Sequence, residues 1–166
     1  MKPVSEEFVE QYFDFFFRLS DAQLKELIVE YKKKQAILYY RNFKIAENFH
    51  SKEKKDFFWQ TVLMHTYCFE SYKGKLPPLT EKLIIQFNKQ IKRKYFEIEK
   101  NAGENTFLNG TLKQINQPHL FTYLESKIKY FNTSSPLLSN QECSLIYNQI
   151  IVLSEYYILI IPYIKD

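Results

Sequence analysis

The chain has 166 residues, of which 45% are hydrophobic and 25% are charged, and its net charge is +4. This composition excludes a largely disordered chain, and the two cysteines, Cys68 and Cys143, exclude a disulfide-dense secreted scaffold. A chain of this length fits one domain around one core, so we predict a single helical domain over residues 1–166.

Glycine and proline divide the sequence into long uninterrupted segments. Neither residue type occurs between Pro3 and Gly74, and the others cluster at 74–78, 103–110, 118, 136 and 162. Because these residues break regular structure, their spacing predicts long helices. We find no stretch that alternates in the manner of a strand. The predicted fold class is therefore all-α, a single-domain bundle of about five or six helices.

The first predicted helix begins after Ser5, whose hydroxyl can cap it, and runs to about Arg18. Its apolar side chains cover an arc of roughly 200°, which is wider than one packing stripe requires. We interpret this as a partner-facing patch for another protein or for a second copy of the chain, with burial in the chain's own core as the alternative. The residues assigned to that interface are Phe13, Phe16 and Phe17.

The second predicted helix starts at Ser20 or Asp21 and, if unbroken, reaches about residue 49. Gln35 and Asn42 interrupt its apolar seam, so these amides are expected to be partly exposed, bonded to a neighbour, or used to fix the register of a homodimer. Near its end, Glu47 and His50 form one Glu-x-x-His pair, whereas a di-iron bundle needs two. We therefore predict neither a metal site nor a cofactor.

Three further helices are predicted before the last one. They begin at Ser51, at Thr80 and at Pro118, and the segment 104–117 between the last two mixes loop and short-helix signals. His65 lies on the apolar stripe of the helix that follows Ser51, where a histidine is most often a hydrogen-bonded core residue. An enzyme with a pocket around His65 is our third functional hypothesis. It ranks last because no catalytic motif is recognisable, and we assign no catalytic residue.

The final helix, capped by Ser139 or Asn140, is apolar nearly all round. Only Asn148 and Glu155 align as a thin polar line, so we predict this C-terminal helix to be the central element of the bundle. Its apolar stretch falls short of a membrane span, and the amino terminus lacks the apolar core of a signal peptide. These features predict a cytoplasmic protein without a membrane partner.

The distribution of charge is the strongest functional signal. Residues 32–94 carry fifteen basic and five acidic side chains, whereas the flanking segments are net acidic. Lys82, Lys89, Arg93 and Lys100 form a stripe on the helix that follows Thr80. Such a stripe can neutralise phosphates, although a solvated lysine face is the plainer explanation. The residues assigned to nucleic-acid or phosphate binding are Lys33, Arg41, Lys44, Lys89, Arg93 and Lys94.

Two functions remain as expectations beside the enzyme. The first is a small non-enzymatic interaction or regulatory protein that acts through an aromatic-rich surface, since 17% of the residues are aromatic. The alternative is a nucleic-acid-binding helical protein that uses the lysine-rich stripe.

Overall fold

The computed structural model describes residues 5–101, 118–134 and 137–163, and these residues form seven α-helices and no strand. The all-α prediction is confirmed, and the number of helices exceeds the five or six expected. The prediction for 104–117 lies outside the described residues. The helices are α1 (Glu6–Phe17), α2 (Asp21–Lys34), α3 (Ala36–Ala46), α4 (Lys52–Lys73), α5 (Glu81–Asn101), α6 (Pro118–Ser134) and α7 (Asn140–Ile160), which a 3-10 turn (Ile161–Tyr163) follows.

Side-chain caps explain where several helices begin. Ser20 caps α2 and Ser139 caps α7, each in a reciprocal capping box in which the residue three positions later bonds back to the cap. The Ser51 hydroxyl accepts a hydrogen bond of 3.2 Å from the Lys54 amide at the start of α4. These three starts agree with the sequence prediction because capping is a local property of the chain. Ser5 precedes α1 as predicted, but its side chain makes no capping hydrogen bond.

The predicted second helix is broken at Gln35, which separates α2 from α3. Gln35 is only 2% exposed, and its side-chain amide donates to the carbonyl oxygens of Leu76 and Pro77 at 3.4 and 3.1 Å. Its Oε1 accepts from the backbone N–H of Leu79 at 3.0 Å. An unbroken helix to residue 49 was therefore the wrong expectation, because a distant loop supplies partners that hold Gln35 at the break.

Helix α4 occupies the centre of the fold, with α1, α2, α3 and α7 packed around it. From residue 57 to residue 69 its side chains are buried at every position except Gln60 and Tyr67, which are half-buried. The central position that we expected for the C-terminal helix therefore belongs to α4. Helix α7 runs parallel to α4, since Lys54 pairs with Glu142 and Thr66 bonds Tyr157.

The polar line predicted along α7 is only partly exposed. Asn148 is exposed as expected, but Glu155 is 5% exposed and forms an ion pair with Lys94 of α5. A buried carboxylate requires such a partner, because desolvation of an unpaired charge is costly. The sequence placed Glu155 on a polar line without revealing that α5 covers it.

Within the described residues, one helical segment, Asn140–Tyr163, is long and apolar enough to cross a membrane by length and composition. Its mean hydropathy is 1.5, and 56% of the window is buried inside the fold. Core helices meet the same criterion, so the cytoplasmic location without a membrane partner stays a prediction.

We expect Gln35→Ala to lower the free energy of unfolding by about 2–3 kcal/mol, because it leaves buried backbone groups of the 76–79 loop without partners. Urea denaturation followed by far-UV circular dichroism measures this change. The exposed Gln86 of α5 supplies the control, since Gln86→Ala should stay within about 0.5 kcal/mol of the wild type. Equal stability of the two variants would show that the Gln35 hydrogen bonds do not hold the loop.

Candidate functional site

The side chain of Tyr156 connects helices α3 and α5. Its hydroxyl donates a hydrogen bond of 2.6 Å to Oδ1 of Asn88 on α5 and accepts one of 3.4 Å from the Arg41 guanidinium on α3. The ring is 1% exposed, and burial raises the pKa of the Tyr156 hydroxyl, so the group stays a neutral donor. Arg41 of α3 is thereby linked to α5 through the Tyr156 hydroxyl.

Exposed basic side chains lie on α3 and α5, the two helices that the Tyr156 hydroxyl joins. Helix α3 contains no Asp or Glu, and neither does the α5 segment from 82 to 96. At 100° per residue, Lys89 and Arg93 point away from the core, while Lys92 lies on the same flank as Asn88. We call this surface the α3–α5 basic face, and it consists of the exposed residues Arg41, Lys44, Lys89, Lys92 and Arg93.

No carboxylate among the described side chains pairs with the cations of this face. Across residues 5–94, 119–133 and 137–163, whose side chains the structure largely describes, no ion pair involves any of the five. Their positive charge is therefore available to an anionic ligand.

Two of the six residues predicted to bind phosphate lie apart from this face. Lys33 is on α2 beside Glu26 and Glu30. The hydrogen bond from Lys34 lowers the pKa of the Glu30 carboxyl most, and the charge of Lys33 lowers it further. Lys94 is committed to the buried Glu155. The other four predicted residues, Arg41, Lys44, Lys89 and Arg93, are exposed on α3 and α5. The side chain of Lys100 lies outside the described residues.

Sequence reasoning missed three contributors to the site. Lys92 falls outside the spacing that defined the stripe, although its position three residues after Lys89 could have indicated it. Nothing in the sequence singled out Asn88 or Tyr156, because their role depends on how α5 and α7 pack.

Helix α3 carries two exposed aromatic residues beside its cations, while Phe15 of α1 and Tyr130 of α6 are exposed elsewhere. Tyr40 and Phe43 are 55% and 44% exposed, and both adjoin Lys44 on the outer side of α3. The Lys32 ammonium lies 5.1 and 5.4 Å from the ring centroids of Tyr39 and Tyr40, within cation–π distance. A cation and aromatic rings therefore lie in contact at this part of the surface.

The three phenylalanines assigned to a partner interface belong largely to the core. Phe13 and Phe16 are 0% and 1% exposed, and their rings lie 5.3 Å from those of Tyr123 and Tyr67, respectively. Phe17 is half-buried against Phe57. The wide apolar arc of α1 is explained by its two neighbours, α4 and α6, so a partner of the folded chain cannot reach Phe13 or Phe16.

His65 is completely buried between α4 and α7. Its Nε2 lies 2.8 Å from Ser154 Oγ, and the Ser154 hydroxyl donates its single proton to the Ile150 carbonyl. Ser154 must therefore accept from His65, which fixes the neutral tautomer with the proton on Nε2. Among the described residues Nδ1 has no hydrogen-bond partner, and burial lowers the pKa of His65 to about 3.

Neighbouring polar side chains form a second buried network. The Gln149 amide donates to Asn42 Oδ1 at 2.6 Å, and the Asn42 amide donates to the Tyr31 hydroxyl at 3.2 Å. Burial, together with the adjacent Tyr157, raises the pKa of Tyr31 well above its usual range. Asn42 is thus bonded to neighbours within its own chain, which was one of the alternatives expected for the seam amides. These bonds link α3 to α7 and to α2.

No metal centre forms among the described residues. His, Cys, Asp and Glu side chains there do not assemble into any group of three that could hold an ion. Glu47 and His50 are both exposed near the end of α3.

Comparison with protein-family models, with curated proteins and with solved structures found no match to this chain.

Replacement of Phe13 by alanine should lower the free energy of unfolding by about 3–5 kcal/mol, because it opens a cavity in the core. Phe15→Ala is the matched control on the same helix, since Phe15 is 56% exposed and its loss should cost about 1 kcal/mol or less. Chemical denaturation gives both values. A stable Phe13→Ala protein would contradict the core assignment.

Acid should destabilise the protein partly through His65. The folded pKa of about 3 lies below the unfolded value near 6.5, so only the unfolded state gains a proton as the pH falls between these values. From pH 7.5 to pH 5 this linkage removes about 2 kcal/mol from the free energy of unfolding. We expect the stability difference between the wild type and His65→Gln to shift by that amount in favour of the variant over this range. Parallel pH dependence in the two proteins would contradict the burial of a neutral His65.

Proposed function

We propose that the protein is a non-enzymatic helical binding protein whose α3–α5 basic face receives the phosphate backbone of a nucleic acid. The proposal rests on the position of Arg41. The Tyr156 hydroxyl bonds both Arg41 of α3 and Asn88 of α5, so it links Arg41 to the helix that carries the other cations. Cations from two helices then act on one ligand, and neutralisation of phosphates supplies affinity without readout of the bases.

The aromatic residues beside the basic face favour a single-stranded ligand. Unpaired bases can stack on exposed rings, and Tyr40 and Phe43 lie next to Lys44 on α3. A duplex offers its phosphates but keeps its bases stacked inside. We therefore expect single strands to bind more tightly than duplexes of the same sequence.

An enzyme centred on His65 has less support. The imidazole has no exposed surface, and it stays neutral and weakly basic because burial lowers its pKa to about 3. A general base that acts near neutral pH needs both access to substrate and a pKa near the working pH.

A protein partner is the remaining candidate, and its aromatic surface would be Tyr40 and Phe43 of α3, since Phe13 and Phe16 are inaccessible. Rings that protrude beside cations are common at protein interfaces. A protein partner would use the same surface as the proposed nucleic acid. Its binding should be weakened little by salt, whereas nucleic-acid binding should be weakened strongly.

The test is the salt dependence of binding to a labelled single-stranded oligonucleotide of about 16 nucleotides, measured by fluorescence anisotropy. The double variant Lys89→Glu/Arg93→Glu should bind about tenfold more weakly or worse at low salt, and it should reduce the slope of log K against log salt by roughly one to two units.

The control is Lys25→Glu/Lys33→Glu, which makes the same change in net charge on exposed positions of α2, away from the basic face. It should weaken binding much less than the α5 variant. Equal losses for the two variants, or affinity that does not change with salt, would overturn the assignment of the α3–α5 basic face.

A further inference from the structure

A cleft of about 340 Å³ opens between α1, α4 and α6, away from the α3–α5 basic face. Its volume falls at the lower end of the range of about 300–1,000 Å³ that is typical of small-molecule sites. The floor is aromatic, and the rim carries Asp14, Arg18, Gln60 and Lys127.

Three phenylalanines form the floor. The ring centroid of Phe57, a residue that is 3% exposed, lies 5.4 Å from that of Phe17 and 4.6 Å from that of Phe131. The three rings are tilted against one another and come from three different helices. A flat apolar group of one or two rings can pack on such a floor, and aromatic contacts of this kind stabilise beyond simple area burial.

The rim carries more positive than negative charge. The Asp14 carboxylate is shared between two cations, with Arg18 Nη2 at 3.3 Å from Oδ2 and Lys127 Nζ at 3.5 Å from Oδ1. One carboxylate leaves one positive charge uncompensated. Lys127 is the better placed of the two cations, because its side chain is 26% exposed, compared with 80% for Arg18, and its ammonium lies 5.7 Å from the Phe17 ring centroid.

We propose that this cleft binds a small planar aromatic anion, with the ring on Phe17, Phe57 and Phe131 and the anionic group at Lys127. The ligand carboxylate takes a charge-assisted hydrogen bond from Lys127, which is only loosely held by Asp14 at 3.5 Å. Gln60 of α4 contributes an uncharged amide to the rim. Ring and charge are recognised together, so neither a neutral arene nor a small inorganic anion satisfies the site.

The experiment is titration of the full chain with 2-naphthoate by isothermal calorimetry, with neutral 2-naphthalenemethanol as the matched ligand. Naphthoate should bind saturably and at least tenfold more tightly than the alcohol, because only the anion engages Lys127. Equal affinity for the two compounds, or no saturable binding of either, would overturn the proposal.

The protein variants separate this cleft from general attraction of anions. Lys127→Gln should weaken naphthoate binding about tenfold, whereas Lys129→Gln removes the same charge from the outer side of α6 and should have little effect. Lys129 is 74% exposed and pairs only with Glu125 among the described contacts. Equal losses in the two variants would refute a site at Lys127.

A second variant keeps the test valid if the loss of Lys127 disturbs the fold. Gln60→Glu preserves the shape of the rim and adds a negative charge, so it should weaken naphthoate binding and leave the alcohol unchanged. Gln11→Glu, at an exposed position of α1 outside this cleft, is the control. Naphthoate affinity that Gln60→Glu leaves unchanged would overturn the placement of the ligand.

Discussion

The hydrogen bonds of Gln35 are the constraint on which the arrangement of helices depends. A single buried amide ends α2, begins α3 and bonds to three backbone groups of the loop that leads into α5. That loop contains Pro77 and Pro78, which have no backbone N–H of their own to donate. Because one side chain satisfies groups 41 to 44 residues away, the α2–α3 turn and the start of α5 are held in fixed relation.

The core adds polar contacts that specify how α7 lies against its neighbours. His65 bonds Ser154, Thr66 bonds Tyr157 and Gln149 bonds Asn42, so α4 and α3 both determine the position of α7. A shift of α7 by one turn would leave these groups buried without partners, at a cost of about 1–3 kcal/mol for each. Apolar packing alone tolerates such shifts more readily, because it has no directional requirement.

The two candidate binding surfaces follow from these internal contacts. Once α7 is fixed, Tyr156 links Arg41 to α5 and completes the basic face. On the other side of α4, Phe57 completes an aromatic floor with rings from α1 and α6. Both surfaces combine cations with aromatic rings, and both are assembled from helices that are far apart in the sequence.

The sequence by itself determined the features that depend on near neighbours in the chain. The Ser20, Ser51 and Ser139 caps, the helical class and the acid-free segment from 82 to 96 are local, because capping, periodicity and charge spacing act within a few residues. Tertiary structure alone decided the break at Gln35, the burial of Phe13 and Phe16, the partner of Glu155 and the bridge that Tyr156 makes between Arg41 and Asn88. Each of these features depends on a group supplied by a distant segment. Whether a side chain is buried, and which partner it bonds, is set by the cost of its desolvation, which arises only when the helices pack.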